Sequence, residues 1–310
     1  MKTKKSLISI AVRGLAMGAA DVVPGVSGGT IAFITGIYEE LITTISNVNL
    51  GLLKTLKSDG IKAFWTQLNG NFIVALFAGI LISIASLANL ISYLLESFPI
   101  LVWSFFFGLV VASIQLMSKE VKKWNTPTIL GFIIGTAIAF WITILPPMQQ
   151  ADANWYVFLS GTIAICAMIL PGISGSFILL LLGSYQTVLT AVKEVDLMKI
   201  AIFGTGCIVG LLSFSHVLKW MFKKYESITI AVLSGFLLGS LNKLWPWKEV
   251  ISTRVNSHGE TVPFIENNVS PFSFESITRT PNQLMYSIGF CVLGFLIIFV
   301  LEKFSNTTKN

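Results

Sequence analysis

The chain has 310 residues, 54% of them hydrophobic and only 12% charged, with a net charge of +6. Such a composition excludes a soluble domain with one large core and reads as an integral membrane protein. Most basic residues flank apolar runs, so the positive charge sets membrane orientation and does not imply nucleic acid.

Taken in order, the N-terminus Met1-Lys-Thr-Lys-Lys resembles a signal n-region but lacks a small-residue cleavage pattern, so those lysines orient an uncleaved chain. Apolar stretches then predict an all-α integral membrane protein built from two inverted-topology repeats, each a re-entrant helical hairpin plus three transmembrane helices. Repeat one, residues 1–147, is expected to hold a hairpin over 7–46, an amphipathic inner-surface helix over 50–71, and spans over 72–95, 99–118 and 128–147. Repeat two, residues 148–310, is expected to hold a hairpin over 155–192, spans over 200–221, 227–245 and 284–302, and an external loop over 246–283. With both termini cytoplasmic, this arrangement leaves only Lys193, Lys199, Lys243, Lys248, Arg254 and Arg279 of the 21 Lys and Arg outside. A single crossing at each hairpin would instead put Lys119, Lys122 and Lys123 outside with Lys54, Lys57 and Lys62.

The repeat is visible residue by residue. Ala20-Asp-Val-Val-Pro-Gly-Val-Ser-Gly-Gly-Thr30 returns as Ala167-Met-Ile-Leu-Pro-Gly-Ile-Ser-Gly-Ser-Phe177. Gly79-Ile-Leu-Ile-Ser-Ile-Ala-Ser86 returns as Gly206-Cys-Ile-Val-Gly-Leu-Leu-Ser213, and Gly108-Leu-Val-Val-Ala-Ser113 as Gly235-Phe-Leu-Leu-Gly-Ser240. An odd number of crossings per repeat inverts the second copy.

Each Pro-Gly loop interrupts an apolar run, and irregular backbone survives at membrane depth only inside protein or along a cavity. Pro24 biases the preceding residue away from helix, Gly25 allows the turn, and Ser27 is a good N-cap for a helix starting at Gly28. Gly28 and Gly29, which carry no side chains, would then leave the free N–H groups of that helix open to an anion; Pro171, Gly172, Ser174, Gly175 and Ser176 repeat the arrangement in the second copy, with Ser176 adding a hydroxyl. Two opposed half-helix N-termini suit a phosphate or carboxylate. Small residues that merely let helices pack closely are the plainer reading of a single such loop.

Ionisable residues within spans are functional candidates. Arg13 and Asp21 lie eight positions apart on one helix, and Asp21 stands three residues before Pro24. Asp21 and Glu39 are the candidates for coupling to a proton or sodium ion. Repeat two carries Met168 and Gln186 at the matching positions, so the charged equipment belongs to the first half. Cys166, Cys207 and Cys291 are expected to be packing residues; no metal, cofactor, nucleotide fingerprint or nucleophile–base pair is legible. The chain is therefore not read as an enzyme.

Gly18-Ala-Ala-Asp-Val-Val-Pro-Gly-Val-Ser-Gly-Gly-Thr30 with Gly36-Ile-Tyr-Glu39, and Leu170-Pro-Gly-Ile-Ser-Gly-Ser176 with Leu182-Gly-Ser-Tyr185, resemble the signatures of the PopT family of bacterial polyprenyl-phosphate translocases. The resemblance covers essentially the whole chain. It implies a plasma-membrane, multi-pass flippase that returns undecaprenyl phosphate from the outer to the inner leaflet for cell-envelope synthesis. Its motif residues fall on Asp21, Pro24, Gly25, Ser27, Gly28, Gly29, Thr30, Pro171, Gly172, Ser174, Gly175 and Ser176. Read without the resemblance, the loops leave open a small-anion channel or exchanger and a membrane lipid-phosphate phosphatase. Oligomeric state is not legible.

Overall fold

Apolar length and punctuation dictate the elements of the computed structural model, which describes residues 6–21, 27–149, 152–255 and 261–307. The first half contains α1 (Leu7–Asp21), α2 (Gly28–Ile34), α3 (Tyr38–Ser46), α4 (Leu50–Ser58), α5 (Gly60–Gln67), α6 (Gly70–Ser97), α7 (Pro99–Lys119) and α8 (Thr126–Ile144). The second contains α9 (Asn154–Ile169), α10 (Gly175–Leu181), α11 (Tyr185–Lys193), α12 (Leu197–Ser240), β1 (Lys248–Val255), β2 (Thr261–Asn268), α13 (Pro271–Thr278) and α14 (Leu284–Thr307).

Among the described residues four helices are long and apolar enough to cross a membrane: the Gly70–Leu87 part of α6, then α7, α8 and α12. The short helices α10 and α11 form an apolar pair bent by 110°, the geometry of a broken span or a re-entrant loop. The protein is thus a multi-pass, essentially α-helical membrane protein. Large side chains such as Leu81, Ile133 and Trp141 face outward, as lipid-facing residues do, while Tyr38, Phe72, Leu76, Leu237 and Ile298 fill the interior.

Local chemistry explains the boundaries. Asn125 caps α8 through a reciprocal bond pair with Thr128, and Pro99 begins α7 where its missing N–H costs nothing. The expected span over 200–221 lies within α12, and that over 227–245 begins in the same helix but runs past its end at Ser240; α12 is broken inside only at Tyr225 (φ −134°, ψ 45°). Phe98 (φ −138°, ψ 48°) makes the same break between α6 and α7. The 50–71 stretch is two short helices, not one, because Asp59-Gly60 ends the first and Gly60 takes φ +81°.

Close helix contacts fall on matched glycines. A Cβ on Gly79 (α6) would overlap the Ala11 carbonyl of α1, and one on Gly206 (α12) would overlap the Phe158 carbonyl of α9. Likewise Gly108 (α7) abuts the Cys291 carbonyl of α14, and Gly235 (α12) the Phe132 carbonyl of α8. Small residues at such crossings let backbones approach where lipid offers no hydrophobic driving force.

One element departs from the all-α expectation. Within the 246–283 segment, β1 and β2 pair antiparallel, with Lys248 opposite Asn268 and Val250 opposite Glu266. The β-branched Val250, Ile251, Thr253 and Val255 supply the strand propensity. Trp245 Nε1 and Trp247 Nε1 donate to the Val269 and Asn282 carbonyls, both at 2.8 Å, and so tie the hairpin down.

Burial pulls Lys248 down to about 8, with the charge of Lys243 adding to the fall and Glu266 opposing it. Because this lies below the ordinary lysine value of 10.5, the unfolded chain binds more protons between those pH values. Stability should therefore rise as pH climbs from about 8 toward 10.5, by roughly 3 kcal/mol in full. Unfolding midpoints of wild type and Lys248→Met across that window test this: the rise should vanish in the variant, and an equal rise in both would refute it.

Candidate functional site

The two loops meet, and hydrogen bonds from the first half satisfy the backbone of the second. A helix leaves its last carbonyls unpaired, and α9 ends in an apolar setting where that is costly. Ser27 Oγ donates to the Met168 carbonyl at 3.2 Å, with the Leu170 carbonyl at 3.4 Å. Tyr38 OH donates to the Ile169 carbonyl at 3.1 Å. In return the Gly172 N–H donates to Thr30 Oγ1 at 3.0 Å. Gly29 sits so close that a Cβ would lie 2.7 Å from the Ile169 oxygen. Ser27, Gly28, Gly29, Thr30, Pro171 and Gly172 are all buried in this junction.

Ser27 is the N-cap of α2, its extended backbone (φ −120°, ψ 133°) letting Oγ accept from the Gly29 N–H at 3.1 Å. The Gly28 N–H is already taken: it donates to Asp21 Oδ1 at 2.6 Å. Asp21 ends α1, so its carboxylate sits at the positive end of the next helix, where an anion is most stable. The expected open cradle at Gly28 is thus filled by an oxyanion of the chain itself. Pro24 and Gly25 fall outside the described residues.

The second loop is built differently. Gly172 adopts φ +88°, and a Cβ there would lie 2.7 Å from Ser240 Oγ, so only glycine fits both the backbone and the contact. Ser174 makes no capping bond to α10; its Oγ instead lies 2.7 Å from Ser176 Oγ, and Ser176 is exposed. Among the described residues no carboxylate caps α10 as Asp21 caps α2, and Met168 holds the position that matches Asp21. One half-helix start is closed and occupied; the other opens outward with two hydroxyls.

Both short helices end alike. Gly36 (φ +68°) and Gly183 (φ +66°) take the left-handed conformation that turns α2 into α3 and α10 into α11. Ile37 N–H reaches the Ala32 carbonyl at 2.9 Å, and Ser184 N–H the Leu179 carbonyl at 3.0 Å. Arg13 serves the first of these bends rather than the loops: Nε donates to the Thr35 carbonyl at 3.1 Å and Nη1 to the Ser9 carbonyl at 3.2 Å. Glu39 is exposed in the first turn of α3. The structure therefore gathers Asp21, Ser27, Gly28, Gly29, Thr30 and Gly172 and leaves Arg13 and Glu39 at the far end of α2. Tyr38, whose ring packs 5.4 Å from that of Phe33 and 5.9 Å from that of Phe222, was missed as a site residue. Its place in Gly36-Ile-Tyr38 was the available signal.

No group of three or more His, Cys, Asp or Glu side chains suited to a metal occurs among the described residues. The chain is 50% identical over 298 residues to a polyprenyl-phosphate transporter of Vibrio cholerae serotype O1 (strain ATCC 39315 / El Tor Inaba N16961), covering 96% of this chain and 97% of that one. It is 32% identical over 253 residues to a polyprenyl-phosphate transporter of Staphylococcus aureus (strain NCTC 8325 / PS 47), covering 76% and 85%. Both relatives are named as transporters, not enzymes. No solved structure matches the chain. Residues 17–262 match the VCA0040-like family, described as undecaprenyl phosphate translocase-like, and the chain belongs to that family.

Proposed function

We propose that the protein moves undecaprenyl phosphate from the outer to the inner leaflet of the plasma membrane, holding the headgroup at the paired Pro-Gly loops. The observation that carries this reading is the seat of Asp21: a carboxylate occupies the Gly28 N–H that a phosphate oxygen would use. A phosphate and an ionised Asp21 cannot share that position, so headgroup entry at α2 requires Asp21 to leave or to take up a proton. The exposed Ser174–Ser176 side of α10 is the first contact, and the Ser27–Thr30 side the second. Lipid partners and apolar tails move along the outward-facing side chains.

The matched glycine contacts support two repeats of like construction, with α1 on α6 as α9 is on α12. Inverted in the membrane, with both termini cytoplasmic, they would give alternating access by rocking of one against the other. Arg13 and Glu39, about 10 Å from the loops by the length of α2, are assigned to the inner exit, and the coupling ion is a proton.

Leaflet exchange of undecaprenyl phosphate in liposomes tests this. Ser176→Trp, at an exposed position, should slow exchange about tenfold by filling the open loop, equivalent to about 1.4 kcal/mol. Exchange unaffected by the tryptophan would remove the loop from the route. Chloride or phosphate flux without lipid exchange would instead make the protein a small-anion channel, and release of inorganic phosphate from a polyprenyl diphosphate would make it a phosphatase.

A further inference from the structure

Beyond the end of α12 the chain passes over the second loop and places two lysines around one carboxylate. Lys243 Nζ lies 3.5 Å from Glu266 Oε2, and Lys248 Nζ lies 3.4 Å from the same oxygen. Both distances exceed the 2.7–2.9 Å of a tight charge-assisted bond. Among the described residues no other carboxylate lies within ion-pair distance of either lysine. The cluster therefore holds two positive charges against one negative.

The two lysines are not equivalent. The Lys248 side chain is 8% exposed, and its ammonium stands 4.4 Å above the centroid of Trp103 on α7. A buried ammonium needs such compensation, and Lys248 has both Glu266 and an aromatic face. Lys243 is 29% exposed, and its ammonium lies 5.1 Å from the ring centroid of Phe177. Phe177 follows Ser176 in α10, and Gly172 of the same loop packs on Leu237 and Ser240, one turn before Lys243. One carboxylate is thus shared almost equally by two lysines, and the one a ligand can reach is Lys243, beside the open loop. Two residues on, Trp245 packs 5.9 Å from Phe107 and 5.5 Å from Trp247.

A surplus cation next to aromatic faces suits an anion joined to an apolar body. We propose that Lys243, held by Glu266 and the face of Phe177, is a receptor for a phosphate monoester on an apolar tail, loading the second loop. This rests on the polyprenyl-phosphate reading and adds to it an entry point outside the Pro-Gly motifs. The lysine offers a point charge that tolerates a headgroup arriving in several orientations, where a guanidinium fork would fix one.

The test is equilibrium binding to the full-length protein in nanodiscs, with farnesyl phosphate, farnesol and inorganic phosphate as probes. Lys243→Gln should weaken farnesyl phosphate about tenfold and leave farnesol unchanged, the effect of one charge-assisted contact. Lys243→Arg should restore most of the affinity, and Lys123→Gln, an exposed lysine remote from the cluster, should change nothing. Farnesyl phosphate binding that is equal in wild type and Lys243→Gln overturns the receptor while leaving the transport reading intact. Wild-type protein that binds no farnesyl phosphate at all overturns both. Inorganic phosphate bound as tightly as farnesyl phosphate, and lost with Lys243, would assign the site to free phosphate and overturn its place on the lipid's route.

Discussion

Alanine at Gly79 is expected to cost about 3 kcal/mol of stability, the upper end for overpacking a tight core, and alanine at Gly206 to cost a similar amount. At both positions the new methyl would overlap a carbonyl oxygen of the neighbouring helix, Ala11 in one case and Phe158 in the other. Backbone cannot rotate away as a side chain can, so the helices must separate along their length and lose dispersion contacts that lipid does not replace. Gly204 and Gly289 provide the control, since a Cβ at either meets nothing within 4 Å. Alanine there should be neutral or gain up to about 1 kcal/mol from helix propensity. Denaturation in mixed detergent would rank the four variants. If Gly204→Ala proved as damaging as Gly79→Ala, the damage would come from glycine's backbone and not from helix contact.

The second large effect concerns Asp21. Asn at this position keeps an oxygen for the Gly28 N–H but removes the charge that competes with a phosphate. Like charges placed side by side cost several kcal/mol, so headgroup affinity should tighten by as much as about a hundredfold. A ligand held that much more firmly leaves slowly, and exchange should fall by a comparable factor. If headgroup entry proceeds by protonation of Asp21 rather than by its departure, wild-type exchange should also vary with pH, while Asp21→Asn should be flat. Parallel pH profiles in the two proteins would end the proton-coupling idea. Tight binding with normal exchange would show that Asp21 is bypassed.

Much of this was open to inspection in the chain. The apolar runs announce the membrane helices, and the doubled Pro-Gly-x-Ser-Gly announces the irregular backbone at its centre. Gly79 and Gly206 stand out because small residues recur in alike surroundings. What could not be read is which partner each group finds. Ser27 reaches carbonyls more than 140 positions away, and nothing in local spacing selects Met168 over another residue. Asp21 and Gly28 are seven positions apart, but their bond depends on how α1 and α2 are angled. Arg13, eight residues before Asp21, looked suited to an anion and is used instead on the Thr35 carbonyl. The cluster of Lys243, Lys248 and Glu266 depends on strand register, which places Glu266 opposite Val250 and two residues from the partner of Lys248.

The crossing of α7 with α14 and of α8 with α12 has a consequence for how the protein is made. Gly108 of α7 rests on Cys291, and Phe105 lies against Gly294, both in the last helix. Gly235 and Gly239 of α12 rest in the same way on Phe132 and Thr136 of α8. Each half therefore lends a helix face that only the other half can cover. During synthesis the first half leaves the ribosome with these faces of α7 and α8 uncovered, and α7 must wait for α14 to be inserted. Assembly of this face thus waits on α14, and a chain cut short before α14 is left with an open seam in the bilayer rather than a smaller finished protein.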